Sequence, residues 1–185
     1  MSSEFQKCLK IVLHHEGIDP DRGKTGWVQH PEDNDGGATN YGITKYTYEA
    51  FKGRPVSIQE MKDMPYEDVE EIYEDRYWDK VRGDDLCQMH GNPSVALSLF
   101  DWGVNSGPSR SSKAFQKIIG ANPDGKIGPK TLALAKDQSD EYIVNQMYKL
   151  RQSFYESLTS KFAVFGRGWS RRNEEVQKEA LSMIK

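Results

Sequence analysis

The fold of this chain can be predicted from FQKCLKIVLHHEG at residues 5–17 and from DGGATNYGIT at residues 35–44. In the first stretch, apolar residues recur at the spacing of a helix that has one buried side. These residues are Phe5, Cys8, Leu9, Val12 and Leu13. We expect this helix to end at Gly17.

Glu16 is a carboxylate on the apolar side of this predicted helix. It follows Leu9 by seven residues and Val12 by four, so at about 100° per residue all three point the same way. Apolar surroundings disfavour the ionised form and the negative end of the helix dipole repels it, so we expect a raised pKa. A carboxylic acid that keeps its proton can protonate a sugar oxygen as a general acid. The alternative is a last-turn residue that reaches past its neighbours into water.

The residues after Gly17 predict a loop and then a small β-hairpin. Residues 18–26 are rich in Asp, Pro, Arg and Gly, which is typical of a loop. Residues 27–30 and 38–41 have the character of short strands, and they flank an acidic, glycine-rich turn at residues 31–37. The predicted order is therefore helix, glutamate, loop and hairpin, which resembles the arrangement of a lysozyme.

The sequence resembles glycoside hydrolase family 108, the phage endolysin and secretion-activator N-acetylmuramidases. The resemblance is carried by Glu-Gly at residues 16–17, by DGGATNYGIT at residues 35–44 and by FDWGVNSGP at residues 100–108. It implies a mainly α, lysozyme-like fold of the α+β type, a helical bundle around a buried central helix with a small β-hairpin next to Glu16. It also implies cleavage of the β-1,4 bond between N-acetylmuramic acid and N-acetylglucosamine in peptidoglycan.

Three residues are candidates for the chemistry of that reaction. Glu16 would protonate the glycosidic oxygen while an oxocarbenium-like state develops. Asp35 is the candidate for the second carboxylate, which either stabilises this charge or activates water, and Thr39 could position the water. Asp33 and Asp19 compete with Asp35 for this role, because Asp-Gly-Gly is also ordinary turn chemistry.

An almost entirely apolar helix is predicted after Pro93, and such a helix is buried on all sides. Its apolar residues are Val95, Ala96, Leu97, Leu99, Phe100, Trp102 and Val104. Asp101 and Asn105 are polar residues four positions apart on this helix, and buried polar groups need partners. They could line the floor of a substrate cleft, or they could cap nearby backbone.

Further aromatic residues are candidates for substrate binding. Tyr41 follows the second predicted strand, and Tyr77 and Trp78 lie at the end of an acidic helix that begins near Pro65. The Tyr77 and Trp78 pair could stack on a sugar ring, or it could belong to the core. Two more helices begin at predicted caps, Thr44 and the capping-box residue Ser57.

The C-terminal part of the chain is predicted to be helical. NPDGKIGP at residues 122–129 resembles a turn of the small peptidoglycan-binding module of the family, although such a turn is also common where a chain reverses. An amphipathic helix is expected at residues 140–160. Residues 165–173, which resemble the family's C-terminal motif, are expected to break the chain before a last helix.

We predict a catalytic lobe at residues 1–108 and a helical lobe at residues 109–185, packed together as one compact unit.

Composition excludes several classes of protein. The 185 residues are 36% hydrophobic and 29% charged with a net charge of −3, which is typical of a soluble globular protein. No apolar run approaches the roughly 20 residues of a membrane span, so we expect no stable membrane insertion. The negative charge and the lack of a basic, aromatic stripe argue against nucleic-acid binding.

Neither a metal nor a cofactor is expected. The side chains of His14, His15 and Glu16 cannot all face one ion, because neighbouring residues of a helix lie about 100° apart.

The expected partner is the glycan strand of peptidoglycan, and we expect a monomer.

The N-terminus lacks the basic and apolar regions of a signal peptide. We therefore expect synthesis in the cytoplasm of the producing cell and action in the periplasm or cell wall after release. A holin is the expected route of release during phage lysis. Cys8 and Cys87 are expected to be free thiols.

Charge is distributed unevenly along the chain. Residues 57–87 contain 11 acidic and 4 basic side chains, whereas residues 143–185 contain 8 basic and 4 acidic ones. The basic segment could approach an anionic wall polymer, or it could be an ordinary solvated helix face.

Two other functions are compatible with the same residues. A lytic transglycosylase would need one acid and would leave an anhydro sugar. A non-catalytic wall-binding or secretion-accessory protein would hold glycan without cutting it, but a carboxylate on an apolar face would give such a protein no advantage.

Overall fold

The computed structural model describes residues 1–29 and 37–184. The fold is mainly α with a small three-stranded antiparallel sheet, so the predicted lysozyme-like fold class is confirmed. The chain forms two compact units, which consist of Met1 with Leu9–Glu74 (unit 1) and of Ser2–Cys8 with Asp75–Lys185 (unit 2). Among the helices described, none is long and apolar enough to cross a membrane.

The first helix, α1, spans Ser3–His15. The five residues of the predicted apolar stripe are all fully buried. Because Leu9 is the first residue of α1 that belongs to unit 1, this helix contributes residues to the cores of both units.

The sheet of unit 1 has one strand more than the predicted hairpin. Its strands are β1 (Val28–Gln29), β2 (Ala38–Asn40) and β3 (Ile43–Thr44), in the order β1-β2-β3. Thr39 pairs with Val28 on one side and with Thr44 on the other. Thr44 was predicted only as a helix cap, and the structure shows that it both ends β3 and caps the helix that follows.

Three helices complete unit 1, namely α2 (Lys45–Lys52), α3 (Ile58–Lys62) and α4 (Tyr66–Tyr73). Both predicted caps are confirmed. The Thr44 hydroxyl accepts a hydrogen bond from the backbone of Thr47, and Ser57 and Glu60 form a reciprocal capping box. The fully buried Asn40 donates its side-chain amide to the Met61 carbonyl at 2.9 Å, which attaches β2 to the end of α3.

Unit 2 is built around the predicted central helix. Its helices are α5 (Gly83–His90), α6 (Ser94–Ser106), α7 (Pro108–Ile118), α8 (Pro129–Ala135), α9 (Asp140–Ser157) and α10 (Thr159–Ser182). Residues Ser94 to Gly103 of α6 are all buried, and α6 packs against α5, α7, α9 and α10. The prediction of a buried central helix is therefore confirmed.

The acidic helix is regular up to Tyr73, and a π-helical turn over Glu74–Trp78 extends it to the predicted end at Tyr77 and Trp78. One predicted helix boundary is wrong. The expected break at residues 165–173 is absent, because α10 runs through it from Thr159. A side chain at Gly166 would lie 2.8 Å from the Phe162 ring, so this glycine serves close packing inside the helix and does not end it.

The predicted lobe boundary at 108/109 falls inside unit 2. Helices α6 and α7 lie on the two sides of this boundary and pack against each other. The division into lobes at residues 1–108 and 109–185 thus stays a prediction about sequence modules, whereas the compact units divide the chain between Glu74 and Asp75.

The two cysteines are free and buried in unit 2. Burial raises the pKa of the Cys87 thiol to about 12. Burial, followed by the neighbouring Cys87, also raises the pKa of the Cys8 thiol well above its usual value. Both residues therefore act as small hydrophobic side chains and not as reactive thiols.

Candidate active site

Glu16 is the C-cap residue of α1, and its backbone is fixed by hydrogen bonds. The N–H of Gly17 donates to the His14 carbonyl at 2.9 Å, and the N–H of Ile18 donates to the Leu13 carbonyl at 2.9 Å. Together they form a Schellman motif, in which Gly17 takes the left-handed conformation with φ of 75°. Ile18 and Leu13 are both buried, which completes the apolar contact typical of this motif.

The side chain of Glu16 is exposed, so the predicted burial on the apolar face is wrong. The N–H of Glu16 still donates to the Val12 carbonyl at 3.1 Å, so its backbone follows the last helical turn. The left-handed Gly17 then turns the chain away from the end of the helix. The Schellman motif thus presents the carboxylate to solvent, where a substrate can reach it.

The loop after Gly17 is a closed structure that leads back to the sheet. Asp19 and Lys24 exchange backbone hydrogen bonds of 2.7 and 2.9 Å around a short 3-10 helix at Pro20–Arg22. The backbone of Tyr41 then donates to the Thr25 carbonyl at 2.8 Å. The end of α1, the loop and the sheet are therefore connected by backbone hydrogen bonds.

Tyr41 has a backbone conformation that is unusual for a residue with a side chain. With Gly42 it forms the two-residue turn between β2 and β3, and both residues have positive φ, 51° and 73°. Such a turn normally prefers asparagine or glycine at the first position. The carbonyl of Tyr41 accepts a hydrogen bond of 2.9 Å from the Tyr73 hydroxyl, which helps to hold the turn.

The Tyr41 ring forms an aromatic pair with Tyr66, with ring centroids 6.0 Å apart. Burial raises the pKa of both phenols, that of Tyr66 to about 12, where Glu70 and Asp21 also contribute. Tyr66 was missed in the sequence, where the only signal was its position one residue after Pro65. Tyr41 itself is buried and Tyr66 beside it is half-buried, so Tyr66 is the more accessible ring of the pair. The role of Tyr41 in substrate binding stays a prediction.

Thr39 lies in the middle of β2 and is half-buried, whereas its neighbours Ala38 and Asn40 are buried. Since side chains alternate along a strand, Thr39 lies on the more exposed face of the sheet with its pairing partners Val28 and Thr44. Its predicted role in positioning water stays a prediction. Asp35, the predicted second carboxylate, lies outside the described residues.

Trp78 is a core residue of unit 2 and is fully buried. Its ring packs against Phe5 and Phe100 with centroid separations of 5.5 and 5.3 Å, and its indole N–H donates to Asp84 at 3.0 Å. A side chain enclosed in this way does not contact a glycan, so the core interpretation of Trp78 applies and the substrate-binding one does not. Tyr77 is half-buried and stays a candidate.

Asp101 binds two arginines from distant parts of unit 2. The carboxylate is fully buried, with Arg151 Nη1 at 2.6 Å and Arg172 Nη2 at 2.8 Å. Burial by itself raises the pKa of this carboxyl, but the two guanidinium groups outweigh it and hold the pKa at about 2. Neither the predicted cleft floor nor a backbone cap describes Asp101, which instead joins α6 to α9 and α10.

The ion pairs continue as hydrogen bonds toward the surface. Arg151 Nε donates to the Tyr155 hydroxyl at 2.7 Å, and this hydroxyl donates to the Asn105 side-chain oxygen at 2.8 Å. Asn105 is exposed and stays a candidate for substrate binding. Arg151 and Arg172 were assigned by sequence to a basic face, because nothing near them in the sequence indicates that they pair with Asp101.

Comparison with known families agrees with this arrangement. The model of the family described as glycosyl hydrolase 108 matches residues 9–107, which is more than half of the chain. The chain belongs to glycosyl hydrolase family 108. A second model, described as a predicted peptidoglycan domain, matches residues 110–174. This family 108 chain is therefore a glycoside hydrolase with peptidoglycan as its partner, that is, a peptidoglycan hydrolase.

A solved structure supports the assignment to family 108. SagA of Brucella abortus is 36% identical in sequence, and the match covers 98% of this chain and 95% of SagA with a TM-score of 0.76. The suspected family is thus confirmed. No curated protein matched the chain.

No metal centre is formed by the side chains that the structure describes in this family 108 chain. Among residues 1–29 and 37–184, no group of three or more His, Cys, Asp and Glu side chains is arranged to hold an ion.

Proposed function

We propose that this protein is an N-acetylmuramidase that hydrolyses the β-1,4 bond between N-acetylmuramic acid and N-acetylglucosamine, with Glu16 as general acid. The observation that carries the proposal is the position of Glu16, an exposed carboxylate at the end of α1 whose backbone is fixed by the Schellman motif. A general acid must be accessible to the substrate and held in place, and this carboxylate meets both requirements.

A glycan strand laid over the end of α1 would exclude water from the Glu16 carboxyl group, as the proposed reaction at this group requires. In this proposal the apolar surroundings expected from the sequence are supplied by the substrate and not by the core.

The remaining catalytic roles are proposed on the family resemblance. Asp35 is the second carboxylate and Thr39 positions the water, on the more exposed face of the sheet. Tyr41, Tyr77 and Asn105 are proposed to contact the glycan. Tyr77 is half-buried and Asn105 is exposed, whereas Tyr41 is buried but pairs with the half-buried ring of Tyr66.

Digestion of purified peptidoglycan by the wild type and by Glu16→Gln, with mass analysis of the products, tests this proposal. We expect reducing N-acetylmuramic ends from the wild type and a loss of roughly 100- to 10,000-fold in the variant. Glu67→Gln is a matched control, because Glu67 is exposed in unit 1 and the substitution changes the charge equally.

Other product patterns would contradict the muramidase. Anhydro ends would identify a lytic transglycosylase, and release by Glu16→Gln at the wild-type rate would remove Glu16 from the mechanism. Binding of peptidoglycan without any release by the wild type would identify a non-catalytic wall-binding or secretion-accessory protein.

For the biological setting we propose a phage endolysin that is made in the cytoplasm of the host and reaches the wall through a holin, acting as a monomer. The proposal rests on the resemblance to endolysins. Expression in a bacterial host with and without a holin tests it, and lysis that requires both proteins is the expected result. Lysis by the chain alone would contradict the need for a holin.

A further inference from the structure

A cleft of about 580 Å³ lies in unit 2. None of the residues that line it has a role in the proposed glycan cleavage. It is formed between the end of α6, the exposed face of α7 and the middle of α9. Its lining includes the aromatic side chains of Trp102 and Phe154 and the aliphatic one of Leu150. It also includes three basic side chains, those of Arg110, Lys113 and Lys117. A cleft of this size is typical of a site for a small ligand or a short chain segment.

The three cations of this cleft lie on one face of α7. Arg110, Lys113 and Lys117 are separated by three and four positions, so their side chains project from the same side of the helix. The lining contains no acidic residue. Within the part of the chain that the structure describes, none of the three forms an ion pair, so their charge is available to a ligand.

Other groups of the cleft also suit an anion with an organic body. The Arg110 guanidinium stacks on the Phe154 ring at 4.1 Å, and its Nε donates to the Ser106 carbonyl at 3.4 Å. Both contacts orient the group, and its two Nη nitrogens stay available to a ligand. The indole N–H of Trp102 is buried and has no hydrogen-bond partner among the described residues. Gly107 and Pro108, at the positive end of the α7 dipole, complete the lining.

We propose that this cleft binds the stem peptide of peptidoglycan through its carboxylates. The inference rests on the proposed function, because it assumes that the substrate is the wall polymer, whose glycan strands carry short peptides with free carboxylates. From Arg110 to Lys117, α7 rises by about 10 Å, which an extended peptide spans in about three residues. Carboxylates a few residues apart can therefore meet successive cations, while Trp102, Leu150 and Phe154 contact the apolar parts of the peptide.

Calorimetric titration of the full chain with a synthetic N-acetylated tetrapeptide of Ala, Glu, diaminopimelate and Ala tests the proposal. The double variant Lys113→Gln, Lys117→Gln should bind this peptide about 5- to 10-fold more weakly, because two exposed ion pairs are lost. The double variant Lys130→Gln, Lys136→Gln removes the same charge from exposed positions on or next to α8, outside the cleft, and should bind normally. A peptide with amidated carboxylates should bind more weakly to the wild type.

A second measurement separates this proposal from the proposed muramidase. The Lys113 and Lys117 variant should show a raised KM on intact peptidoglycan and unchanged rates on glycan strands freed of peptide. If the wild type cuts neither polymer, the muramidase fails, but calorimetry still decides whether the cleft binds peptide. Absence of binding to the wild type, equal loss in both double variants, or equal affinity for the amidated peptide would overturn the inference.

Discussion

At the scale of single residues, two glycines with positive φ illustrate different demands on the backbone. Gly53 ends α2 with φ of 66°, and a side chain there would meet no atom within 4 Å. Gly42 forms the turn after Tyr41 with φ of 73°, and a side chain there would lie 2.9 Å from the Tyr73 hydroxyl oxygen. Gly42 is therefore required both by its conformation and by the group packed against it.

Gly42→Ala should lower the free energy of unfolding by about 2–3 kcal/mol, because left-handed backbone strain is joined by displacement of the Tyr73 hydroxyl from the Tyr41 carbonyl. Gly53→Ala carries the backbone strain alone and should lose about 1 kcal/mol. Urea denaturation of both variants measures the difference. Equal losses would show that the contact with Tyr73 contributes nothing.

At the scale of elements, the ion pairs of Asp101 hold α6, α9 and α10 together. Asp101→Asn keeps the shape of the side chain but leaves two arginines without their counter-charge, Arg151 being almost fully buried. We expect a loss of about 3–5 kcal/mol in the free energy of unfolding. Asp137→Asn, at an exposed position, is the control and should change it by less than about 0.5 kcal/mol. A similar small change for Asp101→Asn would show that the buried pairs are dispensable.

The same carboxylate predicts a dependence of stability on pH. The pKa of Asp101 is held at about 2 in the folded chain, below the value of about 3.9 in an unfolded one. A depressed pKa contributes stability that is complete above the unfolded value and is lost as the pH falls from about 4 to 2, about 2–3 kcal/mol in all.

Denaturant unfolding at several values between pH 5 and pH 2.5, about the range of this titration, measures the effect. The wild type should lose stability more steeply with falling pH than Asp101→Asn, in which the titrating group is absent. Parallel curves for the two proteins would assign the acid sensitivity to other carboxyl groups.

At the scale of the whole molecule, the predicted catalytic lobe is not a compact unit by itself. The central helix α6 ends at Ser106, and the helices α7, α9 and α10 that cover it begin at residue 108 or later. A chain that ends at residue 108 would expose an almost wholly apolar helix to water.

A fragment of residues 1–108 should therefore fail to form a native domain. Near-ultraviolet circular dichroism and limited proteolysis should show loss of fixed aromatic packing and rapid cleavage. A chain that ends at Ser182 keeps all of α10 and should fold as the full chain does. A folded, wall-cutting fragment of residues 1–108 would contradict this prediction and would support an independent catalytic lobe.

The local features of this protein follow directly from its sequence. The buried stripe of α1, the caps at Thr44 and Ser57, and the apolar α6 were all predicted correctly, because each depends on residues within one or two helical turns. The family signatures in the two halves of the match were equally local. They indicated glycosyl hydrolase family 108, which the family model over residues 9–107 confirms.

The accessibility of the polar residues, in contrast, depends on how the elements pack. Glu16 is exposed where the left-handed Gly17 turns the chain at the end of α1, and helical periodicity does not include that turn. Asp101 is structural because its arginine partners lie 50 and 71 residues away in the sequence. Burial and charge pairing depend on long-range packing, so spacing in the sequence could nominate these residues but could not separate the catalytic candidate from the one that holds the core together.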